Sequence, residues 1–466
     1  MNQAASHGGR RRVVRGLAAV WSIAFVGLVS PAAARADPGA VRVIHGMTAG
    51  DEPISEPGSL DAATTQAPDA GAVELTLLPA PTLQVSSVPV GLFPDIAVMS
   101  PDERFAYITS YQEETILVLD LRTLRILRRF QVPDEIWGLA ISPDGRRLFV
   151  ATTPFPLPHT TQCQGIRIAG RVPSRLLILD AGKGTVLKSL PLPGQALNLL
   201  VSPDGSHLAA VTDRSVELFD LVSETLVERI ASPEQNSIDQ AAFAAGGTKI
   251  FAASLTQGVT VFDLPSHSAH TLAPAPAGYR FAGLGIAAVA ADESVFTSLM
   301  AGDQLALAVI DAASEQVIKV VPAADLGAQG GVLYSSRRAE LFLPASDLVL
   351  DATRFTEAGR TPGNDGFLRT GAIGRLSPDQ AWLYARPVGA YLDSISLYSK
   401  PVQYDLVVVD VASLQEVSRV VLGEQAITCT AIAPLLIGAS GKVLIAPNPA
   451  LRTVSVIKVC PTPGGC

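Results

Sequence analysis

The chain has 466 residues, and 48% of them are hydrophobic, which is enough to bury a large core. Its 43 acidic and 35 basic side chains give a formal net charge of −8. This balance argues against nucleic acid and against an anionic membrane surface as partners, because both would repel an acidic protein.

Residues 1–36 have the features of a signal peptide. A basic region around Arg10-Arg11-Arg12 precedes an apolar stretch from Gly16 to Val29, and Ala34-Arg35-Ala36 supplies the small residues of a cleavage site. The apolar stretch is too short to span a bilayer comfortably, so no membrane span is predicted. We expect an exported protein, periplasmic or secreted, whose charge becomes −13 after five arginines are removed. The paired arginines leave a twin-arginine signal as an alternative.

The next segment, residues 37–80, is rich in Pro, Gly, Ala, Asp, Glu and Thr and shows no sustained hydrophobic period. Such a composition predicts a flexible spacer, because it offers too little apolar surface to form a packed core. A docking tail is the alternative function for this segment.

One short phrase then returns along the chain. In Ser142-Pro143-Asp144-Gly145 an apolar run enters a turn and a second apolar run leaves it, which predicts a β-hairpin. Further copies begin at Ser100, Ser202 and Ser377, and weaker copies occupy 244–247, 290–293, 335–338 and 438–441.

Each hairpin is followed by a third apolar run that ends in Asp, as in Ile116-Leu117-Val118-Leu119-Asp120, and by a fourth, more alternating strand. Four short antiparallel strands at a period of about 40 residues are typical of β-propeller blades. The recurrent Asp is interpreted as structural, because its copies fall in different blades and can accept backbone N–H groups of the next turn. The predicted fold is therefore an all-β propeller over residues 81–461, with a short C-terminal tail at 462–466.

Counting third strands predicts eight blades. The last unit lacks a fourth strand, and Leu83-Gln84-Val85-Ser86-Ser87-Val88 is an unassigned strand before the first unit. We expect this N-terminal strand to complete the last blade and close the ring, which leaves no open edge. Seven blades is the alternative, if the weak sixth unit at 341–351 is an insertion.

The pattern of Val90-Gly91 leading into Pro94, then the Ser-Pro-Asp-Gly turn and an apolar strand ending in Asp, resembles YVTN-type propeller repeats. The resemblance covers roughly residues 82–460, and it implies a propeller of the kind found in bacterial surface-layer and periplasmic proteins. That family includes binding proteins and relatives of lactonases and of amine-dehydrogenase heavy chains, so the resemblance does not select an activity. The eighth unit and the weakened turns of units four to six depart from the pattern.

Two insertions interrupt the repeat between second and third strands, at 154–174 in blade 2 and 386–404 in blade 7. Both therefore crown the same face of the propeller, where long loops on a rigid scaffold commonly bind ligands. The second insertion contains five candidate contact residues for a protein or small ligand, with a small core of its own as the alternative role. These are Arg386, Tyr391, Tyr398, Lys400 and Tyr404.

The connections into the first strands open on this face, close to the propeller axis. Their polar residues predict a funnel that binds a ligand, and solvated loop ends are the alternative. The candidates are Asp95, Glu135, Trp137, Gln195, Asn198, Gln235, Asp239, Arg280, Gln329, Arg369 and Gln425. Asp95, Glu135 and Asp239 could converge on calcium, but no calcium-loop spacing supports this, so no metal or cofactor is predicted.

The four cysteines lack a C-x-x-C pair, which favours disulfides in an oxidising compartment over a zinc site. Cys460–Cys466 is expected at the tail, and Cys163–Cys429 is possible if the long loop crosses the axis. No sequence motif for catalysis is present, so no catalytic residue is predicted. The expected function is an exported binding or scaffold protein with a protein or small-molecule partner. The alternatives are a propeller enzyme of lactonase or dehydrogenase-subunit type and a self-associating surface-layer component.

Overall fold

A computed structural model of the protein shows eight four-stranded antiparallel sheets and confirms the predicted eight-bladed, all-β propeller. The weak sixth unit forms a complete blade, so the seven-blade alternative is wrong. The structure describes residues 80–91, 94–110, 113–154, 174–233, 238, 240–254, 258–289, 294–322, 332–344, 346–361, 373–386, 401–426, 435–449 and 451–460. The predicted signal peptide and nearly all of the predicted spacer lie outside these ranges.

The strands follow the predicted order blade by blade. Blades 1 and 2 contain β2 (Pro94–Met99), β3 (Phe105–Ser110), β4 (Thr115–Asp120), β5 (Arg125–Gln131), β6 (Glu135–Ile141), β7 (Arg147–Thr153), β8 (Ser174–Asp180) and β9 (Val186–Leu192). Blades 3 and 4 contain β10 (Ala196–Val201), β11 (His207–Thr212), β12 (Ser215–Asp220), β13 (Thr225–Ala231), β14 (Gln240–Ala244), β15 (Lys249–Ser254), β16 (Gly258–Asp263) and β17 (Ser268–Thr271), with a 3-10 turn at Ala245–Gly247.

The second half repeats the arrangement. Blades 5 and 6 contain β18 (Arg280–Val289), β19 (Ser294–Ala301), β20 (Gln304–Asp311), β21 (Gln316–Pro322), β22 (Leu333–Ser335), β23 (Glu340–Leu343), β24 (Leu348–Asp351) and β25 (Glu357–Arg360). Blades 7 and 8 contain β26 (Ile373–Leu376), β27 (Trp382–Arg386), β28 (Pro401–Asp410), β29 (Glu416–Ala426), β30 (Leu436–Ile437), β31 (Val443–Asn448), β32 (Thr453–Cys460) and β1 (Thr82–Pro89).

The N-terminal strand closes the ring. Strand β1 pairs with β32 in one continuous antiparallel register from Thr82↔Cys460 to Pro89↔Thr453, as the sequence predicts. It thereby becomes the outermost strand of blade 8, whose other three strands come from the end of the chain. This pairing covers the strand edge that an incomplete last blade would leave open.

Each Ser-Pro-Asp turn is held by its own side chains. In blade 2 the Ser142 hydroxyl donates to Asp144 Oδ1 at 2.5 Å and accepts the backbone N–H of Arg147 at 3.0 Å. The Asp144 carboxylate also accepts the backbone N–H of Arg146 at 3.0 Å. These bonds, that from Ser142 above all, hold the pKa of Asp144 below its usual value. The turns at Ser100, Ser202 and Ser377 repeat the Ser-to-Asp bond.

The Asp that ends the third strand in blades 1 to 7 has the structural role the sequence predicts. Asp120 accepts the backbone N–H groups of Thr123 at 2.7 Å and Arg122 at 2.9 Å, and these bonds hold the pKa of its carboxyl below the usual value. Equivalent bonds are made by Asp180, Asp220, Asp263, Asp311, Asp351 and Asp410. The recurrent carboxylates are therefore used locally, in the hairpin between third and fourth strands.

Neighbouring turns contact one another around the ring. Gly145 has φ of +71°, and a Cβ at this residue would lie 3.1 Å from Pro101 Cδ in the turn of the preceding blade. Glycine is required here by the left-handed backbone and by the close approach of the proline ring. The same contact joins Gly205 to Pro143, Gly247 to Pro203 and Gly441 to Pro378.

Where the preceding turn has no proline, a side chain takes the place of the glycine. Blade 8 has Ser440 in its turn, and Glu103 of blade 1 accepts both its backbone N–H and its hydroxyl at 2.5 Å. Blade 6 likewise lacks a turn proline, and Gln380 of blade 7 accepts the backbone N–H of Arg337 at 3.1 Å. The described ranges cover six of the eight junctions between blades. At each of these six, the turn has a glycine where the preceding turn has a proline, and Glu103 or Gln380 where the preceding turn has none.

The core lies between blades, in a series of apolar clusters. One cluster joins Ile96 and Val98 of blade 1 to Leu148 and Leu177 of blade 2, all of them buried. Third strands such as β4 are buried along their whole length, whereas fourth strands such as β5 are mostly exposed. Each blade is thus stabilised by burial of apolar area against two neighbours.

The connections from second to third strands and from fourth to first strands share one face of the propeller, which we call the loop face. The insertion in blade 2 connects β7 to β8, and that in blade 7 connects β27 to β28, as predicted. The second insertion is shorter than predicted, 387–400. Arg386 ends β27, and residues 401–404 extend β28 in a hairpin with 423–426. Within the described ranges, no helix is long and apolar enough to cross a membrane.

We expect replacement of Gly145 by Ala to destabilise the protein by about 1–3 kcal/mol, because the new Cβ combines left-handed strain with a contact to Pro101. Gly246→Ala is the matched control, since Gly246 also has positive φ (+63°) but a Cβ added there would meet no atom within 4 Å. Urea denaturation of both variants measures the free energy of unfolding. Equal losses in the two variants would show that the turn-to-turn contact contributes nothing.

Candidate ligand-binding site on the loop face

The first strands of blades 1 to 3 carry β-bulges at the ends that reach the loop face. In blade 2, Ile136 pairs with Thr152 and Gly138 pairs with Ala151, which leaves Trp137 without a residue opposite. The bulge in blade 1 lies between Pro94 and Ala97 and contains Asp95, and that in blade 3 contains Leu197. Bulges redirect side chains and are common next to functional sites.

The first strands of blades 2 and 3 approach closely beside this bulge. A Cβ on Gly138 would lie 2.9 Å from Leu199 Cγ and 3.3 Å from the Leu199 backbone nitrogen. Only glycine fits at this distance, so the neighbouring strands can bring Glu135 and Trp137 of blade 2 next to Gln195 of blade 3.

Glu135 is the most perturbed acid of the group. The residue is only 3% exposed, and its Oε2 atom has no hydrogen-bond partner among the described residues. Burial first, then repulsion from Asp95 and Glu114, raises the pKa of Glu135 to about 8. At neutral pH this carboxyl is therefore mostly protonated.

Asp95 lies in the bulge of blade 1, partly exposed but closely surrounded by protein. Burial raises the pKa of Asp95 to about 6. At neutral pH Asp95 is therefore mostly ionised, beside a Glu135 that keeps its proton. Burial raises the pKa of both carboxyls, and repulsion from Asp95 and Glu114 raises that of Glu135 further.

Trp137 and Gln195 are 6% and 5% exposed, and in the part of the chain that the structure describes neither Trp137 Nε1 nor Gln195 Nε2 has a hydrogen-bond partner. The backbone of Gln195 is by contrast fully engaged: its N–H donates to Asp213 Oδ1 at 3.0 Å and its carbonyl accepts the Asp213 N–H at 2.9 Å. Thr152, opposite Ile136 on β7, is completely buried with an unpartnered Oγ1. We call Asp95, Glu135, Trp137, Gln195 and Thr152 the loop-face cluster.

Unpartnered buried polar atoms are costly, at about 1–3 kcal/mol each, and are rare in native structures. Four of the five such side-chain atoms found in the described ranges belong to the loop-face cluster; the fifth is Ser232 Oγ. The unused hydrogen-bonding capacity therefore lies at the loop-face ends of strands in two neighbouring blades, 2 and 3.

Other predicted site residues are placed elsewhere by the structure. Arg280 is exposed at the start of β18, where its guanidinium lies 3.2 Å from Met300 Sδ. Arg386 is only 3% exposed and donates to the Pro447 carbonyl at 3.0 Å and to Asn448 Oδ1 at 2.9 Å. These contacts join blade 7 to blade 8, while its role toward a ligand stays a prediction.

The remaining predictions concern residues of which little or nothing is described. Gln425 and Tyr404 contribute backbone pairs within the β28–β29 hairpin, and only their backbone is described. Those outside the described ranges are Gln235, Asp239, Gln329, Arg369, Tyr391, Tyr398 and Lys400.

Asn198 is buried, and its Oδ1 accepts the backbone N–H of Leu199.

Sequence reasoning did not select Thr152 or Arg375. Arg375 lies on β26, the first strand of blade 7, where it donates to the Gly374 carbonyl at 2.8 Å and where burial lowers the pKa of its guanidinium. An arginine between Gly374 and Leu376, at a position apolar in blades 1 to 3, is a signal that could have identified it.

No group of three or more His, Cys, Asp or Glu side chains suited to a metal occurs in the part of the chain that the structure describes. Asp239, the third member of the predicted calcium set, lies outside that part, so calcium stays untested. Cys460 ends β32 and is 1% exposed. Cys163, Cys429 and Cys466 lie outside the described ranges, and both disulfide pairings stay predictions.

No protein-family profile matches the sequence, and no curated protein matches it. Among solved structures, the dihydro-heme d1 dehydrogenase NirN in complex with DHE is similar, with a TM-score of 0.51 and 16% identity over 71% of this chain and 67% of that one. Kuenenia stuttgartiensis hydrazine synthase has a TM-score of 0.46 and 13% identity, covering 80% of this chain and 97% of that one. The Myceliophteria thermophila Cps50 (Swd1) β-propeller domain has the same TM-score and identity, covering 80% and 99%. At these identities the likeness supports the fold alone.

Because the pKa of Glu135 is raised from 4.5 to about 8 in the folded protein, folded chains retain a proton that unfolded chains release. The associated stability is fully present below pH 4.5 and is lost as the pH rises through about 8. We therefore expect Glu135→Gln to become more stable relative to wild type between pH 5 and pH 9, by roughly 2–5 kcal/mol.

Urea denaturation at both pH values measures this change. Glu357→Gln is the control, because Arg360 holds the pKa of Glu357 below its usual value, so this carboxyl is ionised throughout the range. Parallel pH profiles for wild type and Glu135→Gln would contradict the assignment of the raised pKa.

Proposed function

We propose that this protein is an exported binding protein that holds a small molecule at the loop-face cluster. The observation that carries the proposal is the concentration of unpartnered buried polar atoms there: Glu135 Oε2, Trp137 Nε1, Gln195 Nε2 and Thr152 Oγ1. A bound polar ligand would supply the missing hydrogen bonds.

The contrast with the repeated carboxylates supports a ligand role. Asp120 and its equivalents also recur blade after blade, yet each is satisfied by its own turn. The cluster residues occupy corresponding ends of neighbouring first strands but differ in type, with Glu135 in blade 2 where blade 3 has Gln195. A residue needed only for the blade would keep the same chemistry from blade to blade, as the Asp does.

The wider context supports export and a loop-crowned binding surface. The signal-like residues 1–36 and the resemblance to YVTN-type repeats both favour a periplasmic or secreted protein. The connections 154–174 and 387–400 arise on the same face as the cluster and would extend its surface toward a ligand or a protein partner.

A second candidate function, acid–base catalysis, is favoured by the two carboxyls. The pKa of Asp95 is raised to about 6 and that of Glu135 to about 8, so one is a base and the other an acid near neutral pH. Lactone hydrolysis is the reaction to test, with γ-butyrolactone in a pH-stat. Catalysis by this pair predicts a bell-shaped rate profile with limbs near pH 6 and pH 8, lost in Asp95→Asn and in Glu135→Gln.

Trp137 provides a direct measurement of binding. From residue 37 onward the chain has two tryptophans, Trp137 and Trp382, so Trp382→Phe leaves Trp137 as the sole indole of the exported protein. We expect ligands found by thermal-shift screening of small polar molecules to change Trp137 emission in this variant, because a bound ligand changes the surroundings of the unpartnered Nε1 atom.

The matched control is Trp137→Phe in the otherwise natural chain, where the emission change should disappear. Trp382 is buried in the apolar cluster shared by blades 7 and 8, away from the first three blades. Ligands that raise the melting temperature but leave Trp137 emission unchanged would place the binding site elsewhere and overturn the proposal.

A further inference from the structure

We propose that the ligand of the loop-face cluster carries a primary ammonium group, which binds between the carboxyls of Asp95 and Glu135. This inference rests on the proposed function and names the chemistry of its ligand. It is argued from the charges, the unpartnered atoms and the aromatic ring of the cluster.

Among the described residues, the carboxyl pair has no compensating cation. The charged groups that act on Glu135 are Asp95 on β2 and Glu114 in the turn between β3 and β4, and both are acids. On blade 3, Asp213, which binds the Gln195 backbone, pairs with Arg214 at 3.5 Å. Within the described ranges, no basic side chain acts on Asp95 or Glu135. A buried acidic pair of this kind is stabilised by a positive charge.

The unpartnered Glu135 Oε2 indicates what kind of cation would fit. Once ionised, this oxygen accepts a hydrogen bond, so the ligand must bring a donor as well as a charge. A primary ammonium has three N–H donors, enough to reach Glu135 and Asp95 together. Within the described ranges, these two carboxyls are not joined by a third acid, cysteine or histidine suited to a metal ion.

Trp137 supplies an apolar and π-rich surface two residues along the same strand. It is buried but belongs to neither of the apolar clusters that flank blade 2, which contain Ile136 on one side and Ala140 on the other. Indole is the best aromatic partner for a cation, and its ring also covers the apolar part of an organic ligand. The bulge that leaves Trp137 unpaired frees it from the regular packing between blades.

The proton balance follows from the two carboxyls. At neutral pH the site holds an ionised Asp95 and a protonated Glu135, and an entering R–NH3+ favours the ionised form of both. Binding therefore converts the Glu135 carboxylic acid to a carboxylate, forms the N–H···O bond to Oε2, and releases one proton to the buffer. The only covalent bond that breaks is the O–H bond of Glu135, and charge is conserved.

The experiment compares n-butylammonium with two uncharged probes of similar size, 1-butanol and butyramide, in the Trp382→Phe chain from residue 37. Affinity is followed by Trp137 emission at pH 6 and pH 8.5. We expect n-butylammonium affinity to rise roughly 150-fold over this range, because the ionised fraction rises about 75-fold for a group with a pKa of about 8 and about twofold for one with a pKa of about 6. Calorimetry at pH 7 in two buffers of different ionisation enthalpy, neither a primary amine, should show release of close to one proton.

Glu135→Gln is the decisive variant and is expected to reduce the pH effect to about twofold, the part due to ionisation of Asp95. Trp137→Phe, which keeps both carboxyls, tests the aromatic contact by calorimetry and should weaken n-butylammonium without removing its pH dependence. Glu357→Gln is the charge-matched control on the surface and should change neither the n-butylammonium affinity nor its pH dependence.

Tighter binding of butyramide than of n-butylammonium, with affinity that falls between pH 6 and pH 8.5, would overturn the ammonium inference. A protonated Glu135, Trp137 and Gln195 would then be donors to a carbonyl, and the proposed binding function would stand. Failure of all three probes, together with no response of Trp137 to any ligand of the wider screen, would overturn both proposals.

Discussion

Closure of the ring by β1 is the constraint on which the rest of the structure depends. Each blade has two apolar faces, and only a closed circle covers all of them with neighbouring blades. The pairing of β1 with β32 completes the last blade with a strand from the start of the chain, so the first and last blades are held by backbone hydrogen bonds. The first strands are thereby brought around one axis, where single side chains from separate repeats can meet.

The hairpin turns on the opposite face hold the same circle in order. A proline in one turn is followed by a glycine in the next, and a turn without proline is followed by Glu103 or Gln380, whose side chain bonds to it. The turns of blades 6 and 8, which lack the proline, are therefore each bonded by a side chain from the turn of the next blade. Van der Waals contact is replaced by hydrogen bonding where the proline ring is missing, and the junction between blades is kept.

The loop face uses the same scaffold differently. Bulges in the first strands of blades 1 and 2 release Asp95 and Trp137 from regular pairing, and the space at Gly138 lets blade 3 approach. Buried polar atoms there are left without partners, whereas those of the repeated turns are all used locally. The exceptions at the loop-face cluster therefore stand out from a scaffold whose repeated turns satisfy their own polar groups, and they are the basis of the proposed function.

By itself the sequence determined the strands and the closing role of residues 83–88 and favoured eight blades, because turn residues and hydrophobic periods act over a few neighbouring residues. It also placed Asp95, Glu135, Trp137 and Gln195 on the loop face. Only the tertiary structure decided that the weak sixth unit is a blade, that Arg386 is bound by blade 8 and that Glu135 stands unpartnered near Asp95. Burial and repulsion depend on how closely strands from different blades approach, and that distance is set by bulges and glycine contacts between residues far apart in the chain.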